Sequence, residues 1–305
     1  MKRISIIIAT YNRADLLAET LESLAAHLQD ARGCEVADVI VVNNNSSDAT
    51  AEVATGFGAR IPALKVVLET NQGLSYARNR GIEEATGDLI VFLDDDVDLG
   101  PDWLLRLVQP FADDEKVAAT GSRVLPHGTG ALPDWLPRQY AYLASVFDPA
   151  DRQCEVESVM GASFAIRKVD AQRFGMFNVA LGRKGGKLLG GEEIELFKKL
   201  RDAGMKVVFV PESVVFHKIQ SKLNRDYIRD YAYWLGVSEA LIDRKLYGRA
   251  KHFLKCVRSV FFPRTVYALK RMNDHSEAAE MLFVIRRQYA RGYLNSQTEM
   301  QALNG

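Results

Sequence analysis

The chain has 305 residues, 48% of them hydrophobic and 26% charged, which describes a folded body of one large domain or one domain with an appendage. Lys+Arg and Asp+Glu balance at 39 each, so no nucleic-acid partner is indicated, and the three cysteines form no CxxC pair that would signal zinc or a disulfide framework. No apolar run reaches the about 18 residues of a membrane span, and MKRISIIIATYNR is too short in its apolar part for a signal peptide, so a reduced, cytoplasmic protein is expected.

RISIIIA (3–9) is a β-branched run of the kind buried in a sheet. DLLAETLESLAAHL (15–28) repeats Leu17, Leu21, Leu24 and Leu28 at helical spacing. DVIVV (38–42) is a second strand, SDATAEVA (47–54) a helix opened by a capping residue, and ALKVVLE (63–69) a third strand. LSYARNRGIEEA (74–85) reads as helix and DLIVFL (88–93) as a fourth strand. Strands that are apolar almost throughout and alternate with helices predict a parallel sheet covered on both faces. Such sheets bind ligands at the carboxyl ends of their strands. The sequence places TYNR (10–13), NNNSSD (43–48), NQG (71–73) and DDD (94–96) there, four polar loops expected on one edge.

Along an extended chain Asp94 and Asp96 point one way and Asp95 the other. Two close carboxylates repel unless a cation sits with them. Hard divalent cations such as Mg²⁺ or Mn²⁺ take one or two carboxylates and let substrate phosphates complete their shell. The run therefore predicts a metal site that holds a diphosphate. Two other phosphate loops do not fit. GFGARI (56–61) follows a helix and lacks the third glycine of the dinucleotide fingerprint. GRKGGKLLGG (182–191) lacks the GxxxxGK[ST] spacing, with Leu188 where Ser or Thr belongs.

ISIIIATYNRADLLAETLESL, VIVVNNNSSDAT, NQGLSYARNRGIEEATGDLIVFLDDDV and GGEEIELFKKLRDAGMKVVFVPESVVFH occur in this order. Together they resemble the family 2 glycosyltransferases of the GT-A fold, over residues 1–217. The resemblance implies an α/β, Rossmann-like nucleotide-diphospho-sugar transferase sheet with a helical C-terminal extension. It implies metal-dependent, inverting transfer of a sugar from a UDP- or GDP-sugar to a hydroxyl of a glycan or lipid-linked acceptor, in polysaccharide or glycan biosynthesis. By the same resemblance Thr10, Tyr11, Asn12 and Arg13 hold the nucleotide. Asn43, where the family usually carries an acid, accepts a hydrogen bond from the base, and Arg78 lies near the diphosphate or base. Asp96 is the direct ligand of Mn²⁺ or Mg²⁺, Asp94 sits nearer the ribose with Asp95 between, and His217 is the terminal metal-side histidine.

VESVMGASFAIRKVDAQRFGMF (156–177) reads as strand, turn and helix, and it resembles the segment lining the family's sugar and acceptor site, where Gly161 lets backbone approach a ligand. LGGEEIELFKKLRDAG (189–204) is a glycine-rich loop entering a helix whose buried face is expected at Ile194, Phe197, Leu200 and Ala203, ended by Gly204. Glu192 and Glu193 stand in its first turn, where the dipole favours negative charge. Transfer to a hydroxyl needs a base. The family's acidic pair aligns with these two residues, so Glu193 is expected as the base, with Glu192 as the alternative. KVVFVPESVVFH (206–217) reads as strand, Pro turn, strand. In GTGALPDWLPRQYAYL (128–143), Trp135 is either a platform for a sugar ring or a tack for a surface loop.

Residues 221–305 hold 15 Lys+Arg and 8 Asp+Glu, a net +7 against −7 for the remainder. KHFLKCVRSVFFPRTVYALKRM (251–272) mixes bases with Phe253, Phe261 and Phe262, which fits either peripheral contact with an anionic membrane or helices packed on a catalytic domain. Pro263 is expected to interrupt that helix and favours packing. The expected division is a catalytic domain over 1–220, with a nucleotide-binding half (1–100) and an acceptor half (101–220), and an extension over 221–305. A location in the cytoplasm or at the inner face of the membrane follows. Two rivals are weighed. A sugar-nucleotide pyrophosphorylase needs a glycine-rich, basic loop after the first strand, and TYNRAD has neither feature. A non-catalytic carbohydrate-binding protein has no need of Asp94, Asp96 and Glu193, which are all present.

Overall fold

In β1 (Arg3–Thr10) the isoleucines divide between two faces. Ile4, Ile6 and Ile8 enter one buried core and Ile7 the other. β2 (Glu35–Asn43) splits Val39 and Val41 from Ile40 and Val42 in the same way. β4 (Leu89–Leu93) splits Leu89, Val91 and Leu93 from Ile90 and Phe92. A period of two that is buried on both sides leaves an uninterrupted apolar run, and each such side chain contributes about 1.5–3 kcal/mol. These observations come from a computed structural model that describes residues 3–29, 33–128, 131–184, 186–271 and 276–304, with the side chains of 249–271 and 303–304 outside the description.

The described residues form a nine-stranded sheet in the order β3-β2-β1-β4-β8-β6-β9-β5, with β7 paired to β9. β3 is Leu64–Leu68, β5 Val97–Leu99, β6 Val117–Pro126, β7 Cys154–Glu155, β8 Ser163–Arg167 and β9 Lys206–His217. The strands of the first hundred residues pair in parallel, as expected, up to β4. Beyond them β8 runs antiparallel to both β4 and β6, so the whole sheet is mixed. α1 (Ala14–Gln29), α2 (Thr50–Gly56), α4 (Trp103–Val108) and α5 (Pro110–Asp113) contribute to the first core. α3 (Leu74–Glu84), α6 (Lys168–Arg173) and α7 (Glu192–Asp202) contribute to the second. α3 lies close on β1 because Gly81 carries no side chain to collide with Ile7.

Two expectations are corrected here. β9 is one continuous strand, not two around a turn. Its register against β6 skips between Val210 and Val214, and Pro211 falls in that bulge, where no ladder donor is required. The buried face of α7 is Glu192, Glu195, Leu196, Phe197 and Leu200, while Ile194 and Ala203 are exposed. The reason is that the two buried glutamates have partners. Glu195 pairs with Lys199 at 2.9 Å and accepts from Asn178 Nδ2 at 2.7 Å, so burial does not leave its charge uncompensated.

The chain separates into two compact units. The first, Met1–Gly130, Ser145–Ala180 and Glu192–Lys218, contains the sheet. The second is Ala131–Ala144, Leu181–Gly191 and Ile219–Gly305. In it α8 (Arg225–Arg271) leaves helical geometry at Gly248 (φ 76°), not at Pro263, through which the helical backbone continues. α8 packs on α9 (Glu277–Asn304) through Gly236 and Gly292, where an added Cβ would run into the backbone of Tyr289 and Tyr233 respectively. Tyr233 donates to Glu299 at 2.7 Å and Tyr293 to Asp243 at 2.9 Å across the same pair. The side chains of Phe253, Phe261 and Phe262, expected as an apolar anchor, lie outside the described residues. Among the described residues no helix is long and apolar enough to cross a membrane.

Candidate active site

The loops at the carboxyl ends of β1, β2 and β3 are laced together in the first unit. Thr10, buried, accepts at its carbonyl from Asn44 N at 2.9 Å. Asn12 donates from its backbone N to Ser46 Oγ at 3.0 Å, and its Oδ1 accepts from Ser47 N at 2.7 Å. Asn12 sits at φ 50°, a left-handed conformation that asparagine tolerates better than most residues. Tyr11 beside it is exposed. Asn43 is buried, and its Oδ1 accepts from Ser46 N at 2.9 Å, so the oxygen expected for the base also shapes the turn. Asn44, which sequence reasoning passed over, ties in the third loop. Its Nδ2 donates to the carbonyls of Glu69 (3.1 Å) and Asn71 (2.7 Å), and its Oδ1 accepts from Gly73 N at 2.8 Å. Its place directly after an apolar strand was the available signal.

Sheet register assembles the acidic cluster. Val97 of β5 pairs with His217 at the end of β9, and Lys218 N donates to Asp96 O at 2.9 Å. His217 therefore arrives beside Asp96, with Nε2 2.7 Å from Asp96 Oδ1 and Nδ1 3.3 Å from Ser145 O. With Nδ1 donating to that carbonyl, Nε2 faces the carboxylate, where a proton or a divalent cation can stand between them. Ligand atoms of Asp94, Asp96 and His217 lie within 4.8 Å of one another, with Asp94 the most open of the three. Two carboxylates and an imidazole are a donor set that fits Mn²⁺, and Mg²⁺ less well.

Arg13 closes the other side of the aspartates. Its Nη1 lies 2.7 Å from Asp95 Oδ1 and 3.0 Å from Asp96 Oδ2. Burial opposes the guanidinium charge, but Asp95 and Asp96 outweigh it and raise the pKa. Asp95 is pushed up to about 6, chiefly by burial, with Arg13 opposing and Asp96 adding.

Arg78, buried on α3, reaches from this cluster to α7. Nη1 donates to Glu192 Oε1 at 2.8 Å; Nη2 donates to Gly161 O at 3.1 Å and reaches Asp94 Oδ1 at 3.4 Å. The rings of Phe92, Phe164 and Phe177 lie 5.8, 5.7 and 5.6 Å from its Cζ. A planar guanidinium can serve several acceptors and still lie on aromatic faces, which an ammonium cannot do as well. Gly161 makes room for it, since a Cβ there would stand 3.0 Å from Nη2. Glu192 and Glu193 each keep Oε2 away from water and without a hydrogen-bond partner among the described residues. Burial first, then the charge of Glu192, push Glu193 up to about 8, against the pull of Arg78. Of the two carboxyls, Glu192 is the one in an ion pair with Arg78.

Trp135 belongs to the second unit, where Arg225 Cζ stands 5.3 Å over its ring.

An α/β sheet with this strand order, ending in an acidic loop and a histidine brought beside it, has the architecture of the GT-A fold. The mannosyltransferase PcManGT from Pyrobaculum calidifontis, solved with GDP-Man and Mn²⁺, shares the fold with a TM-score of 0.67 at 19% identity, over 98% of this chain and 88% of that one. GalNAc-T7, solved with UDP, GalNAc and Mn²⁺, gives 0.56 at 20% identity, over 85% and 54%. The description of Glycosyl transferase family 2 matches residues 5–172; the chain belongs to this family and is a glycosyltransferase. It is 24% identical over 247 residues to a glucosyl-dolichyl phosphate glucuronosyltransferase of Haloferax volcanii, covering 79% of this chain and 77% of the relative. It is 29% identical over 218 residues to the succinoglycan biosynthesis protein ExoM of Rhizobium meliloti, covering 71% and 67%.

Proposed function

We propose that the chain transfers a sugar from a UDP- or GDP-sugar to a hydroxyl of a glycan or lipid-linked acceptor, with Mn²⁺ or Mg²⁺ and with inversion at the anomeric carbon. The observation that carries this reading is the approach of Asp94, Asp96 and His217 to within 4.8 Å, with Arg78 joining Asp94 to Glu192. The ligands named for PcManGT and GalNAc-T7, a GDP-sugar and UDP with Mn²⁺, support the donor class and the ion. The Haloferax relative, named for a dolichyl phosphate-linked sugar, supports a lipid-linked acceptor.

In this reading Thr10, Tyr11, Asn12, Arg13 and Asn43 bound the nucleotide, and Asp94 with Asp95 lies on its ribose side. Asp96 and His217, with Asp94, would hold the ion, which supplies Lewis-acid stabilisation to the departing diphosphate when bound. Glu193 takes the proton of the acceptor hydroxyl as its oxygen attacks the anomeric carbon opposite the diphosphate; that single displacement inverts the centre. Arg78 and Glu192 keep Glu193 in place, and Gly161 gives Arg78 room. Residues 1–100 serve the donor, 101–220 the acceptor, and 221–305 form the extension, whose net +7 supports contact with an anionic membrane at the cytoplasmic face.

The test is a mass-spectrometric screen of sugar nucleotides with a panel of glycan and lipid-linked acceptors. Loss of one donor with release of its nucleoside diphosphate is expected. No turnover of any donor, or formation of a sugar nucleotide from sugar 1-phosphate and a nucleoside triphosphate, would overturn the reading.

A further inference from the structure

Residues 181–191, LGRKGGKLLGG, play no part in the transfer chemistry above. The segment carries Arg183, Lys184 and Lys187 and no acid. Its ends are pinned within the second unit. Leu181 and Leu189 are buried with Ile242, with Trp234 packed beside them, and Gly190 N donates to Ser238 Oγ at 3.1 Å. Gly191, at φ 87°, seats the loop against α8, where a Cβ would stand 3.1 Å from Ile242 Cδ1.

Between the pins two of the cations lie on aromatic rings. Arg183 Cζ is 5.3 Å from the centre of Tyr231, and its Nη2 donates to the Tyr227 hydroxyl at 3.0 Å. Lys187 Nζ is 5.5 Å from the centre of the Trp234 ring. Tyr227, Tyr231 and Trp234 recur at helical spacing and make one stripe of α8. Lys184 and Lys187 oppose each other across a β-bridge, with Lys187 N donating to Lys184 O at 3.0 Å. Like charges directly opposite on a ladder repel. Among the described residues neither lysine pairs with a carboxylate. The segment thus carries three cations within five residues, two of them paired in the bridge, and such a cluster suits an anion. A phosphate suits them better than a carboxylate, because it brings up to two negative charges and three oxygens to three donors.

We propose that Arg183, Lys184 and Lys187 form a phosphate-binding turn for the phosphoryl group of a lipid-linked acceptor, with Tyr227, Tyr231 and Trp234 as its aromatic floor. The transfer reading enters only in naming the acceptor as the owner of that phosphate.

The test uses the full chain in EDTA, with citronellyl phosphate as a short prenyl phosphate and with citronellol and inorganic phosphate beside it, read by calorimetry. Citronellyl phosphate should bind, more tightly than inorganic phosphate and more weakly as salt rises. Lys184→Ala/Lys187→Ala should weaken it roughly tenfold or more, the scale of one charge-assisted hydrogen bond. Lys184→Arg/Lys187→Arg should keep it, as should Asp96→Ala. Unchanged affinity in a folded double-alanine variant, no salt dependence, or equal binding of citronellol would overturn the proposal. Inorganic phosphate binding as tightly as citronellyl phosphate would assign the turn to a free anion and overturn it equally. Expected binding without turnover of any sugar nucleotide would leave the phosphate turn standing and remove the transfer reading.

Discussion

Arg78→Met keeps a flexible apolar stem against Phe92, Phe164 and Phe177 and deletes the guanidinium. Glu192, 3% exposed, is then left beside Glu193 without its cation. Removing one partner of a buried ion pair costs about 3–5 kcal/mol. Glu192→Gln alone leaves Arg78 with Asp94 and the Gly161 carbonyl, so it should cost less, about 1–3 kcal/mol. In the double variant neither charge is left unpaired by the loss of the other. Its destabilisation should fall short of the sum of the singles by about 1–3 kcal/mol, the coupling expected of residues in direct contact. Urea unfolding of the four proteins, followed by circular dichroism, measures the cycle. Single costs that add to within about 0.5 kcal/mol would refute the argument that Arg78 and Glu192 act as one unit.

Glu193→Gln should lower turnover roughly 10²–10⁴-fold with donor binding retained, and wild-type kcat/KM should climb with pH towards about 8 as Glu193 loses its proton. The folded protein holds that proton above the ordinary value of 4.5, so the stability Glu193 contributes is full below 4.5 and is lost as pH rises to about 8; thermal melts should show Glu193→Gln gaining on the wild type across that window, and a constant difference would contradict the assignment. Gly292→Ala should cost about 1–3 kcal/mol by forcing α8 and α9 apart at Tyr233, and an unchanged melting point would contradict their close approach.

Much of the first unit was legible because its strands are buried on both faces, so period-two and continuous apolar patterns coincide. The acidic run was legible as a cluster of carboxylates, but its alternation was not: residues 95 and 96 lie in a turn, so Asp95 and Asp96 both reach Arg13 Nη1 instead of pointing apart. Pairings set by distant register were not. Nothing local to His217 says that it meets Asp96, because the antiparallel pairing of β5 with β9 decides it. Arg78 reads as an ordinary helix residue until Glu192 and Gly161 arrive from far along the chain. The α7 face was misassigned because only apolar positions were counted, whereas Glu192 and Glu195 are buried through their ion pairs. Pro211 reads as a turn because a ladder cannot use its nitrogen, and the bulge against β6 removes that requirement.

Nucleoside diphosphate release by the wild type and by Asp96→Ala, each in EDTA and again after Mn²⁺ is restored, addresses the metal-dependent transfer directly. Wild-type release should vanish in EDTA and return with Mn²⁺, while Asp96→Ala, folded by circular dichroism, should stay inactive in both. Full release by the wild type in EDTA, or by Asp96→Ala with Mn²⁺, would contradict a transfer chemistry built on Asp94, Asp96 and His217.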